Sequence, residues 1–261
     1  MPTRLGQNFL RDEDVIEKIA DVAGLKSEDI VVEIGPGKGI LTEALAKKCK
    51  KVVAIEIDKD LAGQLRKNFR NKKNVEIINA DILKINLSEL LGSEASKYKV
   101  VANLPYYITS PIIRLFLESK FPPFEMILMV QKEVAERIIS GPGKMSILAL
   151  SVQYYAKVEL LFEVNKSCFF PAPKVDSAVI RITRSLKHET ISRSETDNFF
   201  RVVRAGFSAK RKLLVNNLAN SFHLDKKDTE DKIKKARVSP SSRAQELSVS
   251  EWEKLAKIFS K

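Results

Sequence analysis

Short runs of apolar, mostly β-branched residues alternate with segments of helical periodicity between residues 30 and 184. Five of these runs, each separated from the next by a helix-length segment, predict parallel strands joined by right-handed crossovers. Two further runs are separated only by a Pro-containing stretch, which favours an antiparallel return. The predicted strands are residues 30–34, 52–56, 75–78, 98–102, 126–130, 158–164 and 178–183. We therefore expect an α/β fold with a seven-stranded, mostly parallel sheet that contains one antiparallel strand.

Helical patterns flank the predicted sheet. Residues 12–23 place apolar side chains on one face and acidic residues at the start, as in an amphipathic helix. Beyond Arg184 the strand pattern stops, and helical patterns follow at residues 195–206, 210–221, 226–236 and 250–259. The chain's 261 residues can form one large domain with a smaller one attached. We predict an α/β domain at residues 1–184 and a small all-helical domain at residues 185–261.

A glycine-rich turn, Glu33-Ile34-Gly35-Pro36-Gly37-Lys38-Gly39, follows the first predicted strand. Its glycines let a ligand approach the backbone at the carboxyl edge of the sheet. A dinucleotide-binding fingerprint requires a third glycine where Ile40 stands, and a phosphate-binding P-loop requires a closing Gly-Lys-Ser/Thr. Neither is present. The pattern E-x-G-x-G-x-G is instead typical of Rossmann-like methyltransferases that use S-adenosylmethionine.

Two acidic residues mark the carboxyl ends of the second and third predicted strands. Glu56 lies 21 residues after Gly35 and can accept hydrogen bonds from both hydroxyls of a ribose. Asp81 lies just beyond the third strand, where it can accept the amino group of an adenine. With Gly35 and Gly37, these residues predict a site for S-adenosylmethionine. Two cysteines and two histidines provide neither a disulfide framework nor a four-ligand zinc site of the usual type, so we expect no metal.

The segment Asn103-Leu104-Pro105-Tyr106 follows the fourth predicted strand, beside the expected cofactor site. It has the form (D/N/S)-(P/L/I)-P-(Y/F) found in enzymes that methylate planar amino nitrogens. The N6 amino group of adenine is a poor nucleophile because its lone pair is delocalised into the ring. The Asn103 side-chain oxygen and the Leu104 carbonyl can hold its two N–H groups. Pro105 stiffens this turn, and Tyr106 can stack on the purine.

A second aromatic segment, residues 167–177, lies between the last two predicted strands. Its prolines suit a rigid rim, and Phe169 or Phe170 can stack on the other face of an extruded base. We take Phe169 as the candidate for this role and leave the choice between the two open. Cytosine C5 methylation, the competing chemistry, requires a cysteine nucleophile next to proline, and neither Cys49 nor Cys168 fits that pattern.

The chain is strongly basic, with a net charge of +12 and a pI of about 9.5. This charge favours a polyanionic partner, and nucleic acid is the first to test. Residues 185–261 carry 17 Lys and Arg residues against 10 Asp and Glu, so the charge is densest at the carboxyl end. Neither a signal-peptide core nor an uncharged stretch of roughly 18 residues is found, so we expect a cytoplasmic protein without membrane attachment. We find neither a heptad repeat nor an exposed apolar stripe that would require a partner, and we therefore expect a monomer.

Seven segments in order resemble one family, the ribosomal RNA adenine N6,N6-dimethyltransferases of the small subunit, the KsgA type. The segments are residues 6–10, 33–42, 55–58, 80–81, 103–106, 169–177 and 207–213. The resemblance implies a class I Rossmann-like methyltransferase domain and a carboxyl-terminal domain that helps to dock RNA. It also implies that Asn8 and Leu10 close over the cofactor together with Gly35, Glu56, Asp81 and Asn103.

The same resemblance implies a substrate. Two adjacent adenosines in the 3′-terminal hairpin loop of small-subunit (16S) ribosomal RNA each receive two methyl groups, on an assembling subunit during ribosome biogenesis. The candidate RNA-binding residues are Lys174, Lys210, Arg211 and Lys212. Lys210 departs from the arginine that many relatives carry, which retains the charge but removes the bidentate fork.

Two other functions remain open. One is a dimethyltransferase of the macrolide-resistance type, which acts on large-subunit (23S) ribosomal RNA with the same chemistry. The other is a non-catalytic RNA-binding factor, such as the transcription-factor relatives of this family. The intact segment Asn103-Leu104-Pro105-Tyr106, with Glu56 and Asp81, argues against a protein that has lost catalytic activity. The pattern P-x-P-K-V-D-S at residues 171–177 and the pattern F-x-x-K-R-K-x-L at residues 207–214 favour the small-subunit type.

Overall fold

The apolar runs of the sequence form strands in the computed structural model, which describes residues 8–92, 97–185 and 191–260. The strands are β1 (Phe9–Leu10), β2 (Ile30–Ile34), β3 (Lys51–Glu56), β4 (Val75–Asn79), β5 (Tyr98–Asn103), β6 (Glu125–Gln131), β7 (Ala156–Val164), β8 (Phe169–Phe170) and β9 (Ser177–Arg184). All seven predicted strands are confirmed. The short strands β1 and β8 were not predicted, and they form a separate antiparallel pair. Gly6 and Gln7, which belong to the first motif of the resemblance, lie outside the described residues.

The seven-stranded sheet has the order β4-β3-β2-β5-β6-β9-β7. Strand β9 runs antiparallel to both of its neighbours, whereas the pairs among β2 to β6 are parallel, as predicted. Every residue of β2 is buried, as expected for a strand at the centre of a parallel sheet. The chain adds β3 and then β4 on one side of β2, and it then crosses to the other side to add β5. Such a switch point opens a crevice at the carboxyl ends of the strands.

The helices are α1 (Glu13–Val22), α2 (Ile40–Ala46), α3 (Lys59–Asn68), α4 (Leu87–Leu91), α5 (Thr109–Leu117), α6 (Lys132–Ile139), α7 (Ile147–Gln153), α8 (Arg193–Gly206), α9 (Leu214–Phe222), α10 (Lys226–Lys235) and α11 (Val249–Ile258). Helix α1 begins after Asp12, whose carboxylate accepts the Val15 N–H at 3.1 Å. Its apolar face buries Ile16 and Ile19 in the core that contains β2 and β3. None of the helices in the described ranges is long and apolar enough to span a membrane.

The predicted helix at residues 210–221 starts four residues late, at Leu214. A turn precedes it, in which the Lys212 N–H donates to the Ala209 carbonyl at 3.0 Å. The buried Asn217 amide stabilises this turn by donating to the carbonyls of Gly206 and Ala209. A side chain of α9 thus holds the preceding turn out of the helix.

The contacts within the chain define two compact units. One comprises Met1–Ala135 with Ala156–Arg184, and the other comprises Glu136–Tyr155 with Ser185–Lys261. The prediction that assigned residues 136–155 to the α/β domain is therefore corrected. Leu150 and Tyr154 of this segment are buried among the apolar residues of the carboxyl-terminal helices, and the Tyr154 ring stacks on Phe199 with centroids 4.0 Å apart. Helix α7 contributes apolar surface that completes the core of the helical unit.

Candidate active site

A cavity of about 370 Å³ lies at the carboxyl ends of the neighbouring strands β2, β3, β4 and β5. Its volume is within the range of small-molecule sites in proteins. Ten residues predicted from the sequence line it: Asn8, Leu10, Gly35, Gly37, Glu56, Asp81, Asn103, Leu104, Pro105 and Tyr106. The fold therefore brings the glycine-rich turn, both acidic residues and the segment 103–106 to one place.

The glycine-rich turn is shaped by Gly37, which has a φ of 58° in the left-handed region. A Cβ at this position would lie 3.1 Å from the Phe9 ring, so a side chain would also displace strand β1. The ring of Pro105 would lie 3.7 Å from a Cβ at Gly35. The turn therefore packs against both the amino-terminal strand and the segment 103–106, and its residues line the cavity.

Glu56 is the last residue of β3 and is only 1% exposed. Its Oε2 accepts the Gly37 N–H at 3.2 Å, and its Oε1 accepts the Asp58 N–H at 3.0 Å. Burial raises the pKa of this carboxyl, while the two backbone N–H groups oppose the rise. Each carboxylate oxygen has two lone pairs, so both retain the capacity to accept a further hydroxyl from a ligand in the cavity.

Asp81 is held at the cavity wall by local bonds. Its Oδ1 accepts the Leu83 N–H at 3.1 Å and begins a single helical turn over Ile82–Lys84. Its Oδ2 lies 3.6 Å from the exposed Lys84 ammonium. The carboxylate is therefore oriented by the backbone before any ligand is bound, and it remains partly exposed to the cavity.

The segment 103–106 continues from β5 and is anchored at both ends. The Leu104 N–H donates to the Met129 carbonyl of β6 at 3.1 Å, and the Leu104 side chain is buried. The Pro105 carbonyl accepts the Ile108 N–H at 3.2 Å. The Tyr106 hydroxyl lies 2.7 Å from Ser177 Oγ. Both Asn103 and Tyr106 are half-buried, so their side chains reach the cavity from a restrained backbone.

The assignment of Phe169 to stacking on a base is corrected by the structure. Phe169 is only 4% exposed, belongs to the apolar core and does not line the cavity. Its neighbour Phe170 is 57% exposed, and the Arg11 guanidinium lies 4.0 Å from the centre of its ring. The reason is the pairing of β8 with β1, which turns adjacent side chains to opposite faces.

Glu33 belongs to the glycine-rich motif, but the sequence pattern predicted no role for it. It lines the cavity, is 1% exposed, and its Oε2 has no hydrogen-bond partner among the described residues. Burial raises its pKa to about 8; the carboxyl of Glu56 adds to this rise and the Thr42 hydroxyl opposes it. A carboxyl group within an apolar strand was a signal that could have identified it.

Three further residues at the site were also missed. Ile57 and Tyr107 line the cavity although they are 50% and 61% exposed, which places apolar surface at its mouth. Ser177, whose hydroxyl contacts that of Tyr106, ends the aromatic segment, and the sequence predicted no role for it. Exposed apolar side chains carry no distinctive sequence pattern, so no periodicity would have revealed them.

The predicted RNA-binding cations are all exposed. Lys174 lies in the proline-containing segment that precedes β9, in the α/β unit. Lys210, Arg211 and Lys212 lie in the turn before α9, in the helical unit. Exposed ammonium and guanidinium groups suit contacts with phosphates.

The sheet order, the single antiparallel strand and the cavity at the switch point define a class I methyltransferase of the Rossmann-like type. Solved structures support this class. The 23S rRNA methyltransferase ErmE aligns with a TM-score of 0.77 and 27% identity, covering 97% of this chain and 100% of its own. The chain belongs to the ribosomal RNA adenine dimethylase family, whose model matches residues 1–261.

Individual members of the family are similar over nearly the whole chain. A protein of Dehalococcoides mccartyi named ribosomal RNA small subunit methyltransferase A is 44% identical over 253 residues, which is 96% of this chain and 86% of that protein. A dimethyladenosine transferase from Plasmodium falciparum aligns with a TM-score of 0.79 and 28% identity, covering 95% of each chain. The protein is therefore an enzyme of the rRNA adenine dimethyltransferase class.

Proposed function

We propose that this chain uses S-adenosylmethionine to dimethylate the N6 amino groups of two adjacent adenosines in the 3′-terminal hairpin loop of small-subunit ribosomal RNA. The observation that carries the proposal is the meeting of Asn103-Leu104-Pro105-Tyr106 with the glycine-rich turn and Glu56 around one cavity. Similarity to a protein named small subunit methyltransferase A, at 44% identity, supports the choice of ribosomal subunit.

The residues of the cavity fit S-adenosylmethionine. Glu56 has acceptor capacity for ribose hydroxyls, and Asp81 offers a carboxylate for an adenine amino group. Oε2 of the buried Glu33 has no hydrogen-bond partner among the described residues and suits the ammonium group of a cationic ligand, whose charge would lower the raised pKa of this carboxyl and favour its ionised form. Asn8 and Leu10 complete the wall from the amino-terminal side. When bound, the cofactor supplies an electrophilic methyl group on a sulfonium.

The chain's own contribution to catalysis is to position the amino nitrogen. Asn103 Oδ1 and the Leu104 carbonyl accept its two N–H groups and favour a pyramidal nitrogen whose lone pair is directed at the methyl carbon. Tyr106 stacks on the purine face. The nitrogen becomes acidic once it is alkylated, so its proton leaves to water without a strong base. Electrostatic orientation, rather than general-base catalysis, supplies most of the acceleration.

Substrate docking in this proposal uses the cations of both units. Lys174, Lys210, Arg211 and Lys212 contact phosphates of the RNA, and the assembling small subunit is the partner. Lys210 forms a point-charge contact instead of a bidentate one. We propose that the chain acts as a monomer in the cytoplasm.

A large-subunit substrate is the second candidate, because ErmE, named for 23S rRNA, aligns over 97% of this chain. Its 27% identity is well below the 44% of the relative named for the small subunit, so the small subunit is favoured. The experiment is transfer of labelled methyl groups to unmethylated small subunits, with large subunits and free RNA in parallel and nucleoside analysis of the product.

Four methyl groups per small subunit, recovered as N6,N6-dimethyladenosine, would support the proposal. Labelling of large subunits would establish the second candidate, and cofactor binding without transfer would indicate a binding factor. The Asn103→Ala variant should retain RNA binding but lose about 100-fold or more of the transfer rate, because the amino group loses an acceptor. Unchanged turnover in this variant would contradict the positioning role of Asn103.

A further inference from the structure

The Tyr106 hydroxyl is joined to a buried serine on a distant part of the chain. Tyr106 follows β5, and its hydroxyl lies 2.7 Å from Ser177 Oγ, which is 71 positions away in sequence. Ser177 is the first residue of β9 and is 0% exposed. Strand β9 is paired on both sides there, because Ser177 lies opposite Gln131 of β6 and Val164 of β7. The backbone that carries the serine hydroxyl is therefore held by two neighbouring strands.

The segment that precedes Ser177 is held as well. The Asp176 carboxylate accepts the Lys166 N–H at 2.9 Å, and the Asp176 carbonyl accepts the Lys132 N–H at 3.0 Å. These bonds leave little freedom for the backbone at the start of β9. Ser177 Oγ is consequently held in place by its backbone, so a hydrogen bond to it can restrain the Tyr106 side chain.

Tyr106 is restrained at both ends of its side chain. Its backbone belongs to the anchored segment 103–106, and its hydroxyl is bonded to Ser177. Fixing the Cα and the hydroxyl oxygen of a tyrosine sets χ1, and with it the position and the long axis of the ring. A phenol prefers to hydrogen-bond in the plane of its ring, so the direction of the bond to Ser177 also favours one ring plane. Burial raises the pKa of the Tyr106 phenol, which keeps the hydroxyl protonated and able to donate.

We propose that Ser177 is a positioning residue, which holds the Tyr106 ring in the orientation required to stack on the target adenine. The inference rests on the proposed function, since it assigns Tyr106 to the base. Because the Tyr106 ring is already oriented, binding of the target adenine does not have to bear the entropy cost of ordering it. The adenine amino nitrogen is then placed against Asn103 in the reactive geometry. Ser177 itself contacts neither the base nor the cofactor.

The test uses the whole chain and a double-mutant cycle of Ser177→Ala, Tyr106→Phe and the two combined. Each single substitution should lower kcat by about tenfold, because loss of the bond misplaces the ring relative to the reacting nitrogen. The double variant should be no slower than either single variant, since both remove the same bond. The dissociation constant of S-adenosylmethionine, measured by equilibrium binding, should change less than about twofold.

Ser151→Ala is the matched control, because Ser151 is also a buried serine but lies in helix α7, in the helical unit. It should leave kcat unchanged. If Ser177→Ala fails to fold, Tyr106→Phe carries the test alone, since it removes the hydrogen bond while keeping the ring. Wild-type kcat in Tyr106→Phe, or rate losses that multiply in the double variant, would overturn this inference and leave the proposed function standing. Absence of transfer by the unaltered chain would overturn both.

Discussion

The Glu33→Gln substitution removes a carboxyl group that the folded chain protonates more readily than the unfolded chain. Burial raises the pKa of Glu33 from 4.5 to about 8. Between these two values the folded chain holds a proton that the unfolded chain has released. Raising the pH therefore favours the unfolded chain, and the free energy of unfolding falls until the pH exceeds about 8. Glutamine mimics the protonated acid and does not titrate.

The magnitude follows from the pKa difference. A shift from 4.5 to about 8 corresponds to roughly 5 kcal/mol when ionisation is complete in both states. About 3.5 kcal/mol of this falls between about pH 5 and about pH 8, because the folded carboxyl is still half-protonated at the upper limit. Glu56 also has a raised pKa, so the wild-type profile contains a second contribution. Glu56 titrates in both chains, so the comparison removes most of its contribution and leaves that of Glu33 together with the coupling between the two carboxyls.

The assay is urea unfolding of both chains, without added cofactor, at several values between about pH 5 and about pH 8. The difference in unfolding free energy, wild type minus Glu33→Gln, should fall by about 3.5 kcal/mol across this interval. Glu133→Gln is the matched control, because Glu133 is an exposed glutamate whose substitution should change stability by less than about 0.5 kcal/mol. Parallel pH profiles for wild type and Glu33→Gln would refute the reasoning, since they would mean that folding does not shift the titration of Glu33.

Two further predictions concern packing. Gly206→Ala should destabilise the chain by about 1 to 3 kcal/mol in urea unfolding, because the new Cβ would overlap the Trp252 indole and lie 3.0 Å from Leu214 Cδ1. Gly63→Ala, in α3 with nothing within 4 Å, should instead stabilise by about 0.5 to 1 kcal/mol, and equal effects at the two sites would contradict the packing argument. Phe169→Ala should lower the unfolding free energy by about 3 to 5 kcal/mol, whereas Phe170→Ala should cost less than about 1 kcal/mol, because only the former ring is buried. Thermal unfolding of both variants checks which substitution destabilises more. A larger loss of stability in Phe170→Ala would show that Phe170, and not Phe169, is the buried ring.

The strands and the main features of the site were predictable because both depend on local patterns. Apolar runs mark buried strands, and the carboxyl ends of neighbouring parallel strands meet at one edge of a sheet. Glu56, Asp81 and Asn103 each lie at or just beyond the carboxyl end of such a run, so their convergence on one cavity required only the strand order. The glycine-rich turn also indicated where the cavity lies, because glycines without side chains at Gly35 and Gly37 let a ligand approach the backbone there.

The assignment of residues 136–155 was not predictable in this way. A helical segment between two strands of one sheet is ordinarily a crossover that packs on that sheet. Helix α7 instead contributes Leu150 to the core of the helical unit. An apolar face does not encode which of two cores it will join, since burial depends on area and not on the identity of the partner.

By itself the sequence determined the fold class, the strand positions and the residues at the strand ends. Only the tertiary structure decided which of two adjacent residues in a strand faces the core, and which groups distant in sequence come into contact. Alternation along a strand requires Phe169 and Phe170 to face opposite sides, but only the pairing of β8 with β1 selects Phe169 for the core. The bond between Tyr106 and Ser177 likewise depends on the positions of two strand ends in space. Local sequence patterns determine which residues of one helix or strand share a face. Contacts between residues of different elements depend on how those elements pack together.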